Sequence, residues 1–138
     1  MSANLDLVRS IFAAWERGDF RSGEWAHPAI EHVIADGPTP TSRTGPAAAR
    51  AMRDFLSTWE DFRIGADEYR QLDDERILVL VRFSGRGKTS GVEIGHVHTE
   101  GANLLHVHSG KVTRLVFYWD RERALADLGL SGPGVARK

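Results

Sequence analysis

The sequence predicts an α+β domain in which N-terminal helices pack inside a cone-shaped, curved antiparallel sheet. Two patterns carry that prediction. Apolar residues recur at helical spacing early in the chain, at Leu7, Ile11, Ala14 and Trp15 and again at Ala48, Met52, Phe55 and Trp59. From residue 76 onward they alternate instead: Ile77, Val79, Val81 and Phe83 share one strand face, and Leu115, Phe117 and Trp119 share another. Alternating rows this bulky suit the concave face of a curved sheet that encloses a cavity.

The elements follow in order. Ser2 or Asn4 can cap the first helix, Val8 and Phe12 widen its apolar stripe, and Gly18-Asp19 ends it. Residues 21–26 suit a short second helix before His27-Pro28, since a proline biases the residue before it away from helical geometry. Residues 30–34 suit a first strand with Val33 facing inward, and residues 36–44 a loop with two prolines. Gly45-Pro46 opens a helix over 47–59, because proline fits a first helical turn. Strands are then expected over 62–72, 76–83 and 92–108, with a turn at 73–75 and a flexible hairpin tip at 85–91. The third of these exceeds a typical strand, so a bulge near Gly101 is expected. Ser109-Gly110-Lys111 turns the chain into a last strand that ends at Trp119. Asp120 can cap a closing helix over 121–128, and Gly129 stops it. The expectation is one domain over residues 1–130 with a disordered tail at 131–138.

Composition narrows the function classes. Eighteen basic residues against nineteen acidic leave a formal net charge of −1, with no long run of either sign. That balance argues against a nucleic-acid or membrane-surface partner. The absence of cysteine excludes disulfides and a thiol nucleophile. The first residues show no signal-peptide pattern and no apolar run approaches a membrane span, so a cytoplasmic protein is expected.

The segments WERGDF after the first helix, HPAIEHVIADG into the first strand, the Gly45-Pro46 helix start and the close HSGKVTRLVFYWDRERALADLGL stand in a characteristic order. In that order the chain resembles the nuclear transport factor 2-like superfamily, in its SnoaL-like branch of polyketide cyclases and ketosteroid-isomerase relatives, from Leu5 to Leu130. The resemblance implies the cystatin-like fold and a homodimer. It also implies an isomerase, cyclase or hydrolase acting on a small hydrophobic oxygen-bearing compound, with a non-catalytic small-molecule binding module as the alternative. Fold alone does not choose between them. Carrying over the steroid-isomerase site puts Ile11 at its tyrosine, Val33 at its carboxylate base and Asn103 at its carboxylic acid. Two of the three parts become apolar and the third a neutral amide, so that chemistry lacks its base.

The candidate site is therefore an apolar cavity lined by Trp15, Val33, Met52, Leu105, Leu115, Phe117 and Trp119. Asn103 is its polar contact, and His32 and Asp36 at the mouth are candidate bases. Core packing is the competing role for the apolar residues, above all Phe55. Glu68 shares the parity of Ile64 and Ala66 and lies within reach of Arg82, an ion pair that would be structural or substrate-orienting. His96/His98 and His106/His108 are spaced like strand ligands, but all four stand on one strand, so no metal or other cofactor is expected. Gly85-Arg86-Gly87-Lys88 lacks the phosphate-loop pattern and reads as a turn. Val116 and Tyr118 alternate to the outer face, with His106 and His108 nearby, and point to a homodimer through that face.

Overall fold

In a computed structural model, residues 3–20, 24–36, 40–57, 59–89 and 92–130 are described, without the side chains at 55, 59–61, 86–89 and 92–98. The elements are α1 (Ala3–Glu16), β1 (Ala26–Ile34), β2 (Thr41–Thr44), α2 (Pro46–Ser57), β3 (Trp59–Gln71), β4 (Arg76–Thr89), β5 (Val92–His108), β6 (Lys111–Tyr118) and α3 (Arg121–Leu128). The tail at 131–138 lies outside the described residues.

α1 buries Val8, Ile11, Phe12 and Trp15, so its inward stripe is turned slightly from the expected one, with Leu7 only half-buried. Asn4 lies inside the helix; its amide donates to the Asp74 carbonyl at 2.7 Å and ties α1 to the turn between β3 and β4. The short helix expected over 21–26 falls partly outside the described residues, and what is described is a turn at Glu24 and Trp25 leading into β1.

The six strands form one sheet in the order β2-β1-β6-β5-β4-β3. All neighbours are antiparallel except β1 and β6, which run parallel. β3 to β6 form a meander, and its last strand arrives beside β1 in the same direction. Three expected boundaries move. Thr41–Thr44 pairs with β1 as a short edge strand instead of lying in a loop. α2 stops at Ser57 and Trp59 already begins β3, and β4 continues to Thr89. Pairing with a neighbouring strand overrides weak local preference in each case.

Two apolar clusters lie on opposite faces of the sheet. On the concave face Ile77, Val79, Val81, Leu105, Val107, Leu115 and Phe117 pack against α1. On the other, Leu78, Leu80, Ala102, Leu104, Val116 and Tyr118 pack against Ala124 and Leu125 of α3. The outward rows are thus covered by the chain's own closing helix, and Val116 and Tyr118 are buried without a second copy. α3 forms where expected: Asp120 accepts from the Glu122 N–H at 3.0 Å, and Gly129 ends the helix at φ 69°. The β5–β6 turn has positive φ at both Ser109 (53°) and Gly110 (77°), the backbone of a type I′ hairpin.

Gly101 is needed for a different reason than a bulge. The β4–β5 register runs unbroken through Val81↔Gly101, and the β5–β6 irregularity falls at His106/Val107. A Cβ at 101 would lie 2.4 Å from the Tyr118 carbonyl oxygen and 2.9 Å from a Phe83 ring carbon. Glycine lets β5 pass close to the end of β6. Gly101→Ala is expected to cost about 1–3 kcal/mol, the range for overpacking. Urea denaturation checks it, and an unchanged midpoint would contradict the close approach.

Candidate functional site

Between α1, α2 and the concave face lies a cavity of about 50 Å³. It has room for roughly four water-sized groups, well below the size of a typical drug-sized pocket. Eleven residues line it: Trp15, Phe20, His32, Ile34, Met52, Leu56, Phe62, Ile64, Asn103, Leu115 and Phe117. Phe20, Met52, Leu56 and Phe62 are half-exposed and form the rim, whereas Asn103, Leu115 and Phe117 are buried at its floor. Of the expected lining, Trp15, Met52, Leu115 and Phe117 are in place.

Aromatic packing fixes the walls. Trp15 stacks near Phe20 (6.2 Å between ring centres), Phe20 near Phe62 (5.9 Å), Phe62 near Phe83 (6.1 Å) and Phe83 near Phe117 (5.3 Å). Trp119 belongs to this belt but not to the cavity lining. It stands beyond the end of β6 and packs edge-on against Phe83 and Phe117. Leu105 is likewise not a lining residue; it is fully buried in the core with Ile77 and Val107.

The decisive departure is on β1. His32 pairs with Leu115 and Ile34 with Phe117, so His32 and Ile34 share the concave face. Val33 pairs with Val116 and joins the cluster under α3. Val33 therefore faces away from the cavity, and His32, expected at the mouth, is one of its polar walls. A one-residue change of parity exchanges the two faces of a strand. The residue inward at the first-strand position is thus a histidine.

His32 is 7% exposed, and no hydrogen bond to its ring is made among the described residues. Burial lowers its pKa below the ordinary 6.5, because the charged imidazolium is poorly solvated there. At neutral pH it is an uncharged imidazole with an available lone pair. Asn103 stands two strands away, since β6 separates β1 from β5, a lateral distance of roughly 10 Å between strands. It is 1% exposed, and its Oδ1 is buried without a hydrogen-bond partner. Buried polar atoms are nearly always paired, so an orphan at a cavity wall marks a place for a ligand donor or a water. Among the described residues the cavity lining contains no carboxylate.

Asp36, the other candidate base, is engaged elsewhere. Its Oδ1 accepts the Trp119 N–H at 2.7 Å and its Oδ2 the Asp120 N–H at 3.1 Å. It is buried at the β6–α3 junction and does not line the cavity. Charge-assisted bonds of this kind fix geometry. Asp36→Ala is expected to cost about 2–4 kcal/mol by orphaning two backbone donors, measured by thermal unfolding. A loss below the scatter of surface substitutions would contradict that role.

The expected Glu68–Arg82 pair does not form. A register shift between Ala66 and Glu68 turns Asp67 toward Arg82, 2.6 Å away, and Glu68 pairs with Arg70 at 2.8 Å. Asp67 also meets the buried Arg121 at 2.9 Å. Arg121 further donates to the Val81 carbonyl at 2.7 Å and the Gly101 carbonyl at 3.2 Å. Its burial was not foreseen, since an arginine in a first helical turn ordinarily reads as solvated. His108 pairs with Glu75 at 2.7 Å, His106 lies on the α3 side of the sheet, and the His96 and His98 side chains lie outside the description. No three His, Cys, Asp or Glu side chains converge among the described residues, and no described helix is long and apolar enough to cross a membrane.

No family model and no curated protein matches the chain. Solved structures do. An NTF2-like protein of unknown function from Burkholderia pseudomallei matches at 18% identity and TM-score 0.69, over 91% of this chain and 97% of the other. A candidate SnoaL-like polyketide cyclase from Jannaschia matches at 15% identity and TM-score 0.66, over 94% and 93%. The chain has the NTF2-like fold. A third NTF2-like neighbour, a Catenulispora acidiphila protein of ketosteroid isomerase-like fold in complex with trimethylamine, matches at 14% identity and TM-score 0.66, over 99% and 100%. At these identities the likeness establishes the NTF2-like architecture and leaves activity to the site.

Proposed function

We propose that the cavity binds a small, largely apolar oxygen-bearing compound and that His32 acts on it as a general base. One observation carries the reading: a buried neutral imidazole and a buried amide whose oxygen has no hydrogen-bond partner belong to residues that line the same largely apolar cavity. For a carbonyl compound, His32 takes a proton from the carbon beside the carbonyl. The electron pair of that C–H bond forms the carbon–carbon double bond of the enolate, the carbonyl π pair moves to oxygen, and an Asn103 N–H, presented by rotation of its amide, stabilises the oxyanion. Once the imidazolium has exchanged its proton with solvent, delivery of that solvent-derived proton to the same carbon gives isotope exchange, and delivery to the γ-carbon of the dienolate of a β,γ-unsaturated carbonyl compound gives isomerisation. The size of the cavity favours an occupant of a few heavy atoms, and the trimethylamine complex of a protein with the same fold supports a ligand of that scale. Val116 and Tyr118 no longer argue for a homodimer, and the proposed site is complete within one chain. The cytoplasmic setting expected from the sequence is kept as part of this proposal.

The test needs no knowledge of the natural substrate. In heavy water, butanone and cyclopentanone should incorporate deuterium beside the carbonyl faster with the protein than with buffer, followed by NMR. Absence of any acceleration for both would remove the catalytic reading. Non-catalytic binding is the second reading, favoured by a lining in which His32 is the one titratable side chain among the described residues. It predicts binding of the same probes without exchange. Asn103→Leu should weaken cyclopentanone by about 1–3 kcal/mol, the cost of a lost buried hydrogen-bond partner, and leave cyclopentane nearly unaffected. Equal weakening of both would show that Asn103 acts through packing alone.

A further inference from the structure

The face of the sheet opposite the cavity carries a second unexplained feature. Arg76 on β4 is paired across the strands with His106 on β5, and His106 with Arg114 on β6. Directly paired residues project from the same face with Cβ atoms about 5 Å apart, so the three form one lateral row beside α3. Like charges placed opposite one another destabilise a sheet, and this row puts a histidine between two arginines. Two of its polar nitrogens are also unsatisfied: His106 Nε2 and Arg114 Nε are buried without a hydrogen-bond partner.

Acidic neighbours relieve the row only at its ends. Asp73 holds Arg76 at 2.7 Å, and Glu31 of β1 lies 3.3 Å from Arg114 Nε without a hydrogen bond to it. Glu31 also accepts from Ser42 at 3.0 Å. No acid stands against the centre. We propose that the Arg76–His106–Arg114 row binds a tetrahedral oxyanion, phosphate either free or as the ester of a small metabolite. Three donors from three adjacent strands each meet one oxygen of such a group, whereas a carboxylate offers only two. The Arg76 and Arg114 side chains are 39% and 43% exposed, so an anion reaches the row by displacing their tips. Burial, together with Arg114 and Arg76, holds the His106 pKa below its ordinary value against the opposing pull of Asp73 and Glu31. A bound dianion reverses that balance and favours the imidazolium.

The experiment is a titration of the ¹⁵N-histidine-labelled full chain with inorganic phosphate at constant ionic strength, reading the His106 ring nitrogens by NMR. The expected result is a saturating shift at millimolar phosphate and a rise in the His106 titration midpoint. Arg114→Gln and Arg76→Gln should each weaken the apparent affinity several-fold while the His32 resonances stay in place. Glycerol 3-phosphate distinguishes the sources: tighter binding assigns the site to an ester, and equal binding to the free ion. A non-saturating shift, an affinity in both variants equal to that of the unsubstituted chain, or no response because a second copy covers the face in sedimentation equilibrium would each overturn the proposal.

Discussion

Replacing His32 with alanine is expected to lower the protein-accelerated deuterium exchange of cyclopentanone by about 10²–10⁴-fold, the usual contribution of a positioned general base. The residue is buried on the concave face of β1, and among the described residues no other titratable side chain lines the cavity. The pH profile gives an independent signature. Only the neutral imidazole accepts a proton, and burial lowers the pKa. The rate should therefore rise with pH with its midpoint below the ordinary histidine value of about 6.5. Stability follows the same direction. The unfolded chain binds a proton at His32 more readily than the folded one, so this contribution is complete above the unfolded pKa. It declines as pH falls from there towards the lowered folded pKa. His32→Gln should flatten that decline, and a profile with the wild-type shape would assign it to other groups.

The largest expected loss of stability is at Arg121. Removing one partner of a buried ion pair typically costs about 3–5 kcal/mol, a large share of the total stability of a domain this size. Arg121→Leu withdraws donors from Asp67 and from the Val81 and Gly101 carbonyls in one step. It also loosens α3 over the outer cluster. Guanidinium denaturation should show that loss, and one under about 1 kcal/mol would mean that Arg121 is not holding α3 in place. Burial tends to raise the Asp67 pKa, but hydrogen bonds from Arg121 and Arg82 outweigh it and hold the carboxyl below the usual range. The sign is then fixed: the network's contribution is complete above the unfolded carboxylate pKa of about 4 and is lost as pH falls through the lowered folded value. Asp67→Asn should remove part of the acid sensitivity in that window. Unaltered acid unfolding would contradict it.

What the sequence reveals and what it conceals follow from the strength of each pattern. Four apolar residues at alternate positions from Ile77 to Phe83 define the concave side of β4 without ambiguity, and the caps Asp120 and Gly129 bound α3 by their own chemistry. On β1 Ala26, Ile30 and Ile34 share one parity and Ala29 and Val33 the other, a narrow majority that marks the inward face only weakly. The expectation of an inward Val33 with His32 at the rim is the reverse of the structure. The bulge that turns Asp67 toward Arg121 leaves no local signal, because its cause is a partner far along the chain. The same holds for Asp36, whose two acceptor oxygens serve backbone donors more than eighty residues away. Periodicity does not mark Phe20, which lies in the connection after α1, or Phe62, which lies in β3 where the register shifts between Glu60 and Arg63.

The most direct test of a ligand site built on His32 and Asn103 is an NMR binding experiment with cyclopentanone and protein labelled at methyl groups and histidine nitrogens. Contacts from the probe to the Met52 and Leu115 methyls, with a shift of the His32 ring nitrogens, are the expected result. A probe that leaves those signals unchanged, or that contacts only the polar groove formed by Arg63, Arg82 and Glu100, would contradict it.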